Sequence, residues 1–174
     1  MLAYVFWHWR SDAVESEACE RLTRDFHASL SRQRPEGFRR SVSFAIPGAG
    51  WIPDGRPAHE DWYLLEGSAA LDPLDCAAVA PPLQTPHDAV ARAVAGGAGG
   101  LYRLRLGKAL GERARFASCF RRPDGMAYRR LYDLLEPLAA ALWGRQMVLS
   151  PAPEFRQHGG RPLGLPAPLE PVWP

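Results

Sequence analysis

Lysine is nearly missing from this chain: twenty arginines and the single Lys108 supply the basic charge. With 21 basic against 19 acidic residues the net charge is +2, too balanced for the basic surface of a nucleic-acid binder. The arginine bias accompanies plentiful Ala, Gly and Pro, the composition of a GC-rich genome. Arginine also binds carboxylate and phosphate through paired N–H donors, so a functional reading stands beside the compositional one. Cysteine is scarce. Cys19, Cys76 and Cys119 are odd in number, far apart and without a CxxC, the pattern of reduced thiols in a cytoplasmic protein. No stretch of 18 apolar residues occurs, so no membrane-spanning helix is expected. The apolar start, residues 1–10, lacks a basic leader and a small-residue cleavage site, and reads as a strand rather than a signal peptide. GxSxG, the Walker loop, HExxH and GxGxxG are all missing, and no pair of histidines has metal-ligand spacing. No metal is expected, and no cofactor is specified.

What is present is a foldable chain. It has 174 residues, 47% of them apolar, which is one domain's worth. A chain of this length buries roughly 70% of its unfolded surface and needs no disulfide or metal to hold a core.

Residues 2–9 are apolar on both faces, with Ala3, Val5, Trp7 and Trp9 on one and Tyr4, Phe6 and His8 on the other. Such a strand belongs in the middle of a covered sheet. Asp12 with Glu15 predicts a capping box, and Val14, Ala18, Leu22, Phe26 and Leu30 predict a helix stripe ending near Gln33. Residues 38–46 alternate, placing Phe38, Val42, Phe44 and Ile46 opposite Arg39, Ser41, Ser43 and Ala45. Residues 59–66 predict a third strand. Short helices are expected at 72–79 and from Thr85-Pro86 to Gly96-Gly97, with the glycine-rich 96–100 segment as a helix stop. Strands at 100–106, 113–121 and 142–149 and a helix at 125–136 complete the reading. From residue 151 the periodicity stops and seven of the last 24 residues are proline, predicting an extended tail (151–174) on a single domain (1–150). The tail either packs on its own domain or docks a partner.

The order strand, helix, strand, strand, helix, strand is ferredoxin-like, and the expected fold class is α+β: an antiparallel sheet of about six strands with helices on one face. The strand–helix–strand at 113–149 follows as an addition or a degenerate copy. The uncovered sheet face would be too aromatic to leave wet. In this the layout resembles the dimeric α/β-barrel superfamily, which implies that a second sheet covers that face, from the same chain or from a partner in a homodimer. Local blocks, among them residues 3–8 (AYVFWH), 60–65 (EDWYLL) and 145–155 (RQMVLSPAPEF), resemble an uncharacterised bacterial family. That resemblance implies a stand-alone bacterial domain and no residue roles.

Several side chains could carry chemistry. A buried His8 needs either a structural hydrogen-bond partner or a function as base or ligand. His59, Asp61 and Tyr63 share a strand face, opposite Glu60 and Trp62, and form either a solvated strand start or an acid, a base and a phenol lining a pocket. Arg145, between Trp143 and Met147, is a candidate buried charge that could clamp an anion. Trp7, Trp9, Trp62 and Trp143 would line a ligand cavity or fill a dimer interface. The function expected is therefore small-molecule binding at the sheet face, with His8 and Asp61 as catalytic candidates and Trp7, Tyr63, Trp143 and Arg145 as ligand contacts. The alternative is a non-catalytic homodimeric interaction module using the aromatic face and the tail.

Overall fold

The computed structural model describes residues 1–109, 115–147, 151–161 and 167–173. Among the described residues four α-helices, α1 (Ser16–Gln33), α2 (Leu71–Ala78), α3 (Gln84–Ala93) and α4 (Tyr128–Leu135), accompany nine strands. The strands are β1 (Leu2–Arg10), β2 (Phe38–Ile46), β3 (Ala58–Leu65), β4 (Val94–Gly107), β5 (Phe116–Phe120), β6 (Ala141–Arg145), β7 (Phe155–His158), β8 (Ala167–Pro168) and β9 (Glu170–Trp173).

These strands form one antiparallel sheet in the order β8-β5-β7-β6-β4-β1-β3-β2-β9, which overturns the expected six-stranded ferredoxin-like sheet. The first four strands lie as β4-β1-β3-β2, and β8-β5-β7-β6 repeats that order in the second half, the two sets meeting at β6 and β4. β8 pairs with β5 at one edge and β9 with β2 at the other, although only Leu169 separates them in sequence. One short segment therefore spans both edges, and the sheet must curl round to meet it. The expected tail at 151–174 is thus no appendage. β7 lies inside the sheet between β5 and β6, and periodicity failed there because a four-residue strand is too short to display it. Residues 162–166 and 174 of that stretch, and positions 113–114 and 148–149 of two predicted strands, lie outside the described residues.

The glycine-rich segment 96–100 is not a helix stop but the first half of β4, paired with β1 from His8↔Gly97 to Val5↔Gly100. Its glycines make room for the rings of β1. A Cβ on Gly97 would stand 2.3 Å from Phe6, and one on Gly96 2.7 Å from Trp9. The predicted capping box at Asp12 does not form either. α1 begins at Ser16 after an extended Glu15 that makes no side-chain cap.

The concave interior holds Val5, Trp7, Phe44, Trp62, Tyr102 and Trp143, with Ala152 and Leu169 from the C-terminal part. The chain covers its own aromatic face. Glu60 points into this interior and is fully buried. It accepts from Trp7 Nε1 and Trp62 Nε1, both at 2.8 Å, and pairs with the buried Arg156 through Nε (3.2 Å) and Nη2. Burial alone would raise the Glu60 carboxyl, but Arg156, His158 and the Trp62 indole outweigh it and bring it down to about 2.

On the other face Leu2, Tyr63 and Leu65 pack with Phe26 and Leu30 of α1 and Leu74 of α2. A register shift between Phe38 and Arg40 moves Phe38 to this helical side, away from Val42, Phe44 and Ile46, with which strict alternation had grouped it. The buried stripe of α1 is Cys19, Thr23, Phe26, His27 and Leu30, displaced from the predicted one by about one position.

Candidate functional site

β1, β3 and α1 bring a polar cluster to the helical face of the sheet. The register pairs His8 with His59, Phe6 with Asp61 and Tyr4 with Tyr63. The two residue sets read separately from alternation are therefore one surface. Asp61 is its centre. His8 Nε2 lies 3.0 Å from Asp61 Oδ2, and Tyr63 donates its hydroxyl to the same oxygen at 3.3 Å. Ser43 donates to Oδ1 at 2.6 Å. His27 of α1 places Nε2 3.3 Å from Oδ2 while its Nδ1 bonds Ser41 Oγ at 2.7 Å.

Burial alone would raise the Asp61 carboxyl, but His8 and His27 outweigh it and hold it well below the usual carboxylate range. Asp61 is therefore an ionised, acceptor-only group. A neutral His8 must then carry its proton on Nε2, leaving a lone pair on Nδ1. That Nδ1 is buried and has no hydrogen-bond partner among the described residues. His59 stacks on His8 with ring centroids 5.0 Å apart. Burial, then the neighbouring His8, pushes His59 down to about 4. Tyr63 is raised well above the usual phenol range by burial and by the adjacent Asp61.

His8, Asp61 and Tyr63 of this cluster line a cavity of about 500 Å³ between the sheet and α1–α3. Tyr4, Phe6, Phe26 and Val90 give it apolar walls, and Asp72 and Asp75 of α2 stand at its exposed rim. A second depression of about 420 Å³, between α1 and α3 around Leu22, Asp25 and Pro86, shares no residue with it. Among the described residues no group of three His, Cys, Asp or Glu side chains is placed to hold a metal ion.

Of the residues singled out from sequence, His8, Asp61 and Tyr63 come together at this cavity. Trp7 and Trp143 do not join them. Both are fully buried in the opposite, concave interior, because odd positions of β1 and β6 face inward. Arg145 is also elsewhere, donating through Nη1 to the carbonyl of Ala152, so it cannot clamp an anion in this cavity. Sequence reasoning missed His27, Ser43 and Ser41. The serines were assigned to a polar strand face, yet Ser41 and Ser43 are buried. The Cys19-Thr23-His27 spacing on α1 was the available signal, hidden by the more apolar stripe beside it.

No protein-family model matches the chain, and no curated protein matches it. Fold and site thus define an α+β protein with a curled antiparallel sheet and a lined cavity under its helices.

Proposed function

We propose that this chain binds a small molecule in the cavity between its sheet and α1–α3, with His8, oriented by Asp61, as the acid–base group facing the ligand. One observation carries the reading. His8 lines a cavity of about 500 Å³, and its Nδ1 is buried with no hydrogen-bond partner among the described residues, on a ring whose other nitrogen lies 3.0 Å from an ionised carboxylate. An unpaired buried acceptor costs roughly 1–3 kcal/mol, which a ligand donor would recover. An oriented imidazole on a carboxylate is also the arrangement that general acid–base chemistry requires. Three unpaired cysteines support a reducing, cytoplasmic setting. Among the described residues no helix is long and apolar enough to cross a membrane. The homodimeric module loses its main support, since the aromatic face that called for a second sheet is filled from within the chain.

Protein-detected NMR with a library of small aromatic fragments tests this reading. Hits should perturb Tyr4, Phe6 and Tyr63, and filling the cavity with Ala78→Phe should abolish them. Fragments that perturb only residues away from these rings would overturn it.

A further inference from the structure

We infer that the molecule this cavity accepts is an organic cation, an aromatic or apolar body carrying a protonated amine. The inference rests on the reading of the cavity as a small-molecule site and names its ligand class.

The charge of the lining is one-sided. Three carboxylates, Asp61 at the floor and Asp72 and Asp75 at the rim, meet no Lys or Arg. His87, which also lines the cavity, has its Nδ1 3.2 Å from the Asp88 carboxylate, a further acidic group beside it. The carboxylates act along the whole depth of the space. The Tyr4 phenol is pushed up by burial, then by Asp61 below it and Asp75 at the rim.

The polar atoms on offer are also one-sided. Asp61 is ionised, but its oxygens are already taken by Ser43, His8 and the Tyr63 hydroxyl, so it offers the ligand charge and not a free lone pair. With Nε2 turned to Asp61, a neutral His8 ring presents its lone pair at Nδ1, which is buried and has no partner among the described residues, on a ring that lines the cavity. A lining that carries negative charge and one unpartnered acceptor suits a ligand with positive charge and donors, and an ammonium has donors and no acceptor. The walls agree with this. Tyr4 stacks between Phe6 and Tyr63 at 6.3 and 5.7 Å, and ring faces of this kind attract cations. A carboxylate or phosphate ligand would instead meet three like charges in a partly desolvated space.

The test is titration of the full chain, by calorimetry and NMR, with three probes that share one ring system: 2-naphthylmethylammonium, 2-naphthylmethanol and 2-naphthoate. The ammonium should bind at least tenfold more tightly than the alcohol, and the naphthoate should not bind. Asp72→Asn and Asp75→Asn, at exposed helix positions, should each weaken the ammonium severalfold and leave the alcohol unchanged. Alcohol or naphthoate binding as tightly as the ammonium would overturn the cation inference and leave the cavity reading standing. None of the three perturbing Tyr4, Phe6 or Tyr63 would overturn both.

Discussion

Glu60 and Asp61 are consecutive on β3, and their carboxylates lie on opposite sides of the sheet. Glu60 is held by Arg156 in the concave interior and Asp61 by His8 beneath the helices. Both are ionised and almost fully buried, yet the surroundings differ in kind. Glu60 has its oxygens filled by two indoles and a guanidinium, in a space packed with tryptophan. Asp61 is filled by groups that can themselves give or take a proton and that border an open cavity. The first arrangement is structural and the second has chemical capacity.

Glu60→Gln leaves the buried Arg156 without its counter-charge. Breaking a buried pair from one side costs about 3–5 kcal/mol. Urea unfolding of this variant should show a loss of that order. A loss under 1 kcal/mol would mean that Arg156 finds another partner.

Stability should fall in two acid steps. In the first, the unfolded chain protonates His59 near 6.5 while the folded chain resists until about 4. The unfolded state therefore binds more protons across that window, and stability is lost as pH drops through it. That shift corresponds to something on the order of 3 kcal/mol. His158, also lowered by burial, acts in the same direction. In the second step Glu60, ordinarily near 4.5 and here about 2, and the likewise depressed Asp61 lose their stabilisation as pH falls below the usual carboxylate range. Unfolding measured from pH 7 to pH 2 should show both steps, and His59→Gln should shrink the first, leaving the His158 part, and spare the second.

The tautomer of His8 is open to direct observation. Long-range 1H–15N spectra should show the neutral ring protonated at Nε2, held there by Asp61. Asp61→Asn should mix the two tautomers. A wild-type ring protonated at Nδ1 would remove the lone pair on which the acid–base reading depends.

Gly97→Val puts side-chain atoms where the Phe6 ring lies, since a Cβ alone would stand 2.3 Å from it. Overpacking of this kind costs about 1–3 kcal/mol. Because Phe6 lines the cavity, fragment binding should weaken together with stability. Unchanged binding would show that the ring moves without disturbing the site.

Leu169→Ala tests the segment that spans both sheet edges. Leu169 is buried in the concave interior between β8 and β9. Truncating a buried leucine costs about 2–5 kcal/mol. Here the loss should be accompanied by self-association, because the edges of β5 and β2 become free to pair. Sedimentation at rising concentration reads that second effect, and a strictly monomeric variant would argue against it.

By itself the sequence determined what local rules can reach. Alternation in β1 and β3 sorted Trp7 from His8 and Glu60 from Asp61, because a strand sends successive side chains to opposite faces whatever lies around it. Turn residues and apolar runs placed β2, β3, α2 and α4 to within a few residues. The tertiary structure alone decided which faces coincide. Only the pairing of β1 with β3 puts His8, His59, Asp61 and Tyr63 on one surface, and only the packing of α1 adds His27. Only the pairing of β7 with β5 and β6 and the closure by 167–173 turn a proline-rich ending into part of the sheet, because strand pairing joins backbones remote in sequence and leaves no mark in the spacing of either partner.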